Sequence, residues 1–215
     1  MRRTKSLLPA LAFAFVACGS NGGSTPPPVM DPPDMADPVV DMAMIPPYPG
    51  QPYGVVENST LYPLVAKGYM MDRDHTDSSS LMYQDIKIEA IHFNPQCKCL
   101  LLSEAATWCG PCNAEQPALV QAVMDDPNFC VFNVLVDGPT PGVRATMKDV
   151  YNWTQTHQQN FPVVGANLQT YLHLPRPNAL PTNVVIRPRD MKILSIEAGL
   201  SEDTIQQAKD LCAAP

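Results

Sequence analysis

Apolar and polar positions divide this chain into three parts. Residues 7–17 form an unbroken apolar run, residues 19–52 hold few large apolar groups, and from Tyr53 onward apolar positions recur at strand and helix spacings. In the third part, LYPLVAKGYMM and DIKIEAIHF have strand character on either side of the polar turn DRDHTDSSS. The run CLLL at 99–102 suits a strand buried on both faces. Pro111 opens a helix in which Ala114, Leu119, Val120 and Val123 recur at helical spacing, until DDPN at 125–128 stops it. FCVFNVLVD (129–137) reads as a second buried strand. VRATMKDVYNWTQTHQQ reads as a helix, FPVVGA as a short strand and NLQTYLHL as a further helical piece. TNVVIRP and MKILSIEAG make a hairpin around residues 187–190. SEDTIQQAKDLCAA is a closing helix with Ser201 as N-cap and Glu202 and Asp203 in its first turn.

Strand, helix, strand, helix, hairpin, helix predicts an α/β fold: a central mixed sheet with helices on both faces. A right-handed first crossover makes 99–105 and 129–136 parallel neighbours or near neighbours.

The segments before residue 53 carry other information. MRRTKSLLPALAFAFVAC has a basic start (Arg2, Arg3, Lys5) and an apolar run too short to span a bilayer, the layout of an export signal over residues 1–17. Its end, Phe15-Val16-Ala17-Cys18, resembles the lipobox of bacterial lipoproteins, with Phe15 where Leu is usual. The resemblance implies lipidation at Cys18 and a lipid-anchored envelope protein, on the inner or the outer membrane. A plain secretory signal is the alternative. Residues 18–52 then read as a disordered Pro/Asp/Met-rich tether, which at polyproline rise would reach on the order of 100 Å. Its Met30, Met35, Met42 and Met44 are soft ligands of the kind that take Cu(I), but linker composition is the plainer reading of them. The formal charge is −7, and loss of residues 1–17 removes three positive charges more. An acidic chain without a basic run excludes nucleic acid as a partner, because phosphate contacts need clustered Lys and Arg.

The chemistry lies in SEAATWCGPCNAEQPAL, residues 103–119. Cys109 falls at the C-terminal end of a central strand and the N-terminus of the next helix, where free N–H groups and the helix dipole favour a thiolate. Cys112, one turn on, is placed to close a disulfide with it. This arrangement suits thiol–disulfide exchange, with Cys109 attacking a substrate disulfide and Cys112 resolving the mixed intermediate.

Trp108-Cys109-Gly110-Pro111-Cys112 matches the active site of the thioredoxin superfamily, and A-T-W-C-G-P-C-N-A-E-Q-P-A-L resembles its membrane-tethered TlpA/ResA-type branch. The likeness covers 98–213 firmly and 53–97 loosely. It implies a thioredoxin-like domain over 53–215 with an N-terminal strand extension and an extra strand/helix insertion at 138–170. It further implies that Pro181 is the family's cis-proline and that the Leu180 backbone pairs with substrate. Trp108, Gly110, Pro111 and Thr182 then contact substrate, and Glu115 relays the resolving thiol's proton. The implied protein is a monomer with no metal and no cofactor beyond its own redox-active disulfide. It acts on cysteine-containing exported proteins, with electrons from a membrane thiol transporter. Gly110-Pro111 resembles the reducing members.

The chain also departs from the pattern. Six residues before the first cysteine, thioredoxins have a buried Asp and the tethered branch often Asn. Here the residue is Ser103, followed by Glu104 where Phe is usual. Glu104 either substitutes as a proton acceptor or points to solvent. Rival readings of the pair fit less well. Zinc needs four ligands, a peroxiredoxin needs Thr where Ala106 stands, and a copper chaperone needs a wider cysteine spacing than the one that precedes His157 and His173. A non-enzymatic binding or assembly lipoprotein, or a Cu(I)-handling protein, remains the alternative function.

If the thioredoxin arrangement holds, Cys97, Cys99, Cys130 and Cys212 meet at the pole opposite the dithiol. Two structural disulfides are expected there, each joining Cys97 or Cys99 to Cys130 or Cys212. A zinc site from the same four thiolates, or buried free thiols, are the other possibilities.

Overall fold

The computed structural model of the protein describes residues 47–175, 179–199 and 202–214. The export signal, Cys18, the tether up to residue 46 and the Ser201 cap lie outside the described residues.

The run from Cys99 to Ala106 is buried at every position and forms the central strand β3. Its neighbour β4 (Phe129–Asp137) lies parallel to it, joined by the crossover helix α2 (Gly110–Asp125). On the other side β6 (Thr182–Arg187) runs antiparallel to β3, and β7 (Lys192–Ala198) continues the hairpin. The 138–170 insertion supplies helix α3 (Met147–His157) and strand β5 (Val163–Gly165), which extends the sheet beyond β4. A short helix α4 (Leu168–Leu172) follows. The N-terminal extension adds β1 (Val65–Tyr69) and β2 (Gln84–Lys87) as an antiparallel pair, giving the order β2-β1-β5-β4-β3-β6-β7.

Alternation along β3 sends side chains to two cores. Cys99, Leu101 and Ala105 face α2, α3 and the closing helix α5 (Glu202–Ala213), meeting Leu119, Val123, Trp153 and Ala208. Leu100 and Leu102 face the other layer, which is thinner: Leu61 and Leu64 of the N-terminal segment, Ile91 of the short helix α1 (Glu89–His92), and Leu174 after α4.

Two expectations are corrected here. The chain after Ile88 does not continue as a strand but turns into α1. Pairing with β1 ends at the hydrogen bond from Ile88 N–H to the Leu64 carbonyl, because Ile88 itself has helical dihedrals (φ −63°, ψ −22°) and leads into α1. The ordered domain also begins before Tyr53. Tyr48 donates its hydroxyl hydrogen to the Leu61 carbonyl at 2.8 Å and packs against the second core, so residues from 47 onward belong to the fold rather than to the tether.

Candidate active site

The dithiol sits where β3 ends and α2 begins. Cys109 is the N-cap of α2, its sulfur accepting from the Cys112 N–H at 3.2 Å, and the two cysteines form a disulfide with Cα atoms 5.2 Å apart. Cys109 is 3% exposed and Cys112 fully buried, while Gly110 and Pro111 are exposed above them. Trp108 stands over the turn, 44% exposed, its indole N–H donating to Asp137 Oδ2 at 3.3 Å. The carboxylate that holds the indole also accepts from Gly142 N–H at 2.8 Å, which ties Trp108 to the first loop of the insertion.

Leu180-Pro181 is a cis peptide directly before β6. Thr182 pairs with Glu104 at the end of β3, which brings the loop to the same edge of the sheet as Cys109. Leu180 is half-buried and packs against the core cluster that contains both cysteines. Thr182 differs from expectation: it is buried and gives its hydroxyl hydrogen to the Ala179 carbonyl at 2.9 Å, so it braces the loop from inside instead of presenting a surface to substrate.

Beneath the dithiol lies a polar rung in an apolar sheet. Asn133, Ser103 and Asn183 are register partners across β4, β3 and β6. Asn133 Nδ2 donates to the Ser103 hydroxyl and carbonyl, each at 3.2 Å. The Ser103 hydroxyl donates to Glu115 Oε1 at 3.0 Å, and Asn183 Nδ2 to Glu115 Oε2 at 3.1 Å. Glu115 thus reaches down from α2, one turn past Cys112, onto the rung. Burial pushes its carboxyl up to about 7, although both hydrogen bonds favour the anion and pull the other way. Glu104, next along β3, is 3% exposed and not in solvent, and alternation places it on the sheet face away from Ser103 and α2. The carboxylate on the dithiol's side is Glu115.

The other four cysteines lie at the far end of β3, as Cys97–Cys130 and Cys99–Cys212 disulfides with Cα separations of 5.8 and 5.4 Å. They staple opposite faces. Cys99 and Cys212 sit with the α2/α5 core, and Cys97 and Cys130 with the N-terminal layer.

Asn133, Asn183 and Asp137 were absent from the residues singled out in the sequence. The two asparagines did leave a signal: each is a lone polar residue inside a buried strand, FCVFNVLVD and TNVVIR, where an unpaired amide would be costly. Asp137 closes an apolar strand without such a signal.

Sheet order, the helix-capping dithiol and the proline loop define a thioredoxin fold. No protein-family model matches the chain. Among solved structures it is similar to a candidate protein disulfide isomerase from Bacteroides thetaiotaomicron, at 16% identity and a TM-score of 0.53, covering 75% of this chain and 93% of that one. It is also similar to a DsbF homologue from Corynebacterium diphtheriae, at 11% identity and a TM-score of 0.51, covering 71% and 85%. The thioredoxin domain of a thiol-disulfide oxidoreductase from Bacteroides vulgatus aligns at 14% identity and a TM-score of 0.49, over 74% and 99%.

Proposed function

We propose that the protein is an envelope thiol–disulfide oxidoreductase that exchanges disulfides with exported proteins through Cys109 and Cys112, working in the reducing direction. The observation that carries this reading is the pair itself: a disulfide capping a helix N-terminus, over a buried carboxyl poised near neutrality. In the reduced protein the Cys112 N–H and the helix N-terminus stabilise the Cys109 thiolate. That thiolate attacks a client disulfide, forming a mixed disulfide and releasing one client thiolate. Cys112 then gives its proton to Glu115 and attacks the Cys109 sulfur. The second client thiolate leaves, and the protein is left with the Cys109–Cys112 disulfide: two electrons have passed to the client. A membrane thiol transporter restores the dithiol. Trp108, Gly110 and Pro111 form the exposed rim that meets the client, whose backbone pairs at Leu180 beside Pro181.

The export layout of residues 1–17 and the lipobox-like Cys18 support a lipid-anchored, periplasm-facing location. Incubation of the reduced Cys112→Ser variant with a disulfide-bonded client tests the mechanism. A mixed disulfide should accumulate on Cys109, whereas Cys109→Ser traps nothing. Trapping on any other cysteine would contradict the assignment.

A further inference from the structure

Asn113, the residue after Cys112, folds its side chain back over the active-site turn. Its Nδ2 donates to the Cys109 carbonyl at 2.7 Å and to the Thr107 carbonyl at 3.2 Å. Only the amide nitrogen suits that side, because the oxygen would face two carbonyl oxygens. Oδ1 is therefore turned outward, where His157 Nε2 lies 3.1 Å away. An acceptor oxygen needs a donor, which assigns the ring proton of neutral His157 to Nε2.

His157 ends α3, the helix of the insertion, and its ring meets buried Trp153 edge-on with centroids 4.3 Å apart. Burial lowers its affinity for a second proton, so the neutral ring is the relevant form. The Cys109 carbonyl also accepts the Asn113 backbone N–H at 3.1 Å, so the side-chain amide is a second donor to it, while Pro117, four residues on, has no N–H to give to the Asn113 carbonyl.

We propose that His157 is a positioning residue for the Cys109–Cys112 pair. By anchoring Oδ1, it steadies the amide whose nitrogen holds the Thr107 and Cys109 carbonyls, and with them the turn from which Cys109 projects. It acts through Asn113 and touches no reacting atom. The inference rests on the pair being an exchange centre, and it gives the inserted helix a function in that exchange. Without the donor, Oδ1 loses its partner, the Asn113 side chain is anchored from one side only, and the turn loosens. Disulfide exchange needs three sulfurs close to in line, so a slack turn costs rate.

The test compares His157→Leu, which keeps an apolar side chain against Trp153 but no donor, with His157→Gln, which keeps an N–H. His157→Leu should slow reduction of a protein disulfide roughly tenfold, and His157→Gln should stay within about twofold of wild type. Asn113→Leu should be slow alone, and adding His157→Leu to it should make no further difference, since both act at one point. The Asn113 side-chain amide resonances should be distinct and slow to exchange in wild type, and should sharpen toward free amides in His157→Leu. Wild-type rates in His157→Leu, failure of Gln to rescue, or additive losses in the double variant would each overturn the proposal. If His157→Leu does not fold, the rate of His157→Gln and the slowing in Asn113→Leu decide it. A wild-type protein that exchanges no disulfide refutes the functional reading instead, and the Asn113 resonances then still test the clip.

Discussion

The two ends of strand β3 carry the same bond and put it to different uses. At one end Cys109 and Cys112 are three residues apart and sit on a helix N-terminus, with Gly110 and Pro111 exposed and a buried carboxyl below. At the other, Cys97–Cys130 and Cys99–Cys212 span 33 and 113 residues and tie strand starts to a neighbouring strand and to the last helix. Closing a three-residue gap constrains the unfolded chain little, whereas closing a long one constrains it strongly. A disulfide is therefore a reagent or a staple according to what surrounds it: donors to receive a thiolate at one pole, loop length at the other.

That contrast can be broken by exchanging effects between the poles. Cys109→Ser should abolish exchange while leaving thermal stability close to wild type, measured by client reduction and by calorimetry. Replacing Cys99 and Cys212 together by Ser should do the reverse, costing about 4–5 kcal/mol on the chain-entropy account, with the exchange rate of the surviving folded protein unchanged. The same change at Cys97 and Cys130 closes a shorter loop and should cost about 3–4 kcal/mol in denaturant titrations. If either staple variant lost exchange while folded, the separation of the poles would fail.

Glu115 sharpens the comparison from the active-site side. Its folded carboxyl titrates at about 7 against an ordinary 4.5, so the folded chain holds a proton over that window that the unfolded chain has released. The contribution is fully present below about pH 4.5 and is lost as pH rises through 7, amounting to about 3 kcal/mol. Glu115→Gln should remove this fall in stability between pH 4.5 and 7 and should slow the resolving step. Ser103→Ala is the smallest expected change. Loss of its hydroxyl costs about 1 kcal/mol and moves Glu115 further up, because a donor to the carboxylate is gone.

Much of this was legible in the sequence, for reasons that differ by element. The runs at 99–106 and 129–137 are mostly apolar because both faces are covered, and such strands declare themselves. The helix start at the dithiol was marked by Pro111. The end of β2 was not legible, because IKIEAIHF alternates like a strand while the backbone turns helical at Ile88. Tyr48 was hidden by its proline-rich neighbours, since the contact that orders it lies thirteen residues away at Leu61. The cysteine motif announced the site, and Ser103 stood out as a departure. What Ser103 serves became visible only when register placed Asn133 and Asn183 beside it under Glu115. Likewise, Thr182 reads as part of the substrate loop until burial turns its hydroxyl inward.

The most direct test of the account is a redox titration of the full chain against glutathione or dithiothreitol, with thiols labelled and read peptide by peptide. The account predicts that Cys109 and Cys112 interconvert as a two-electron pair near the thioredoxin value of about −270 mV, while the four cysteines at the far pole stay oxidised. A Cys109–Cys112 pair that never interconverts, or far-pole disulfides that open first, would contradict it.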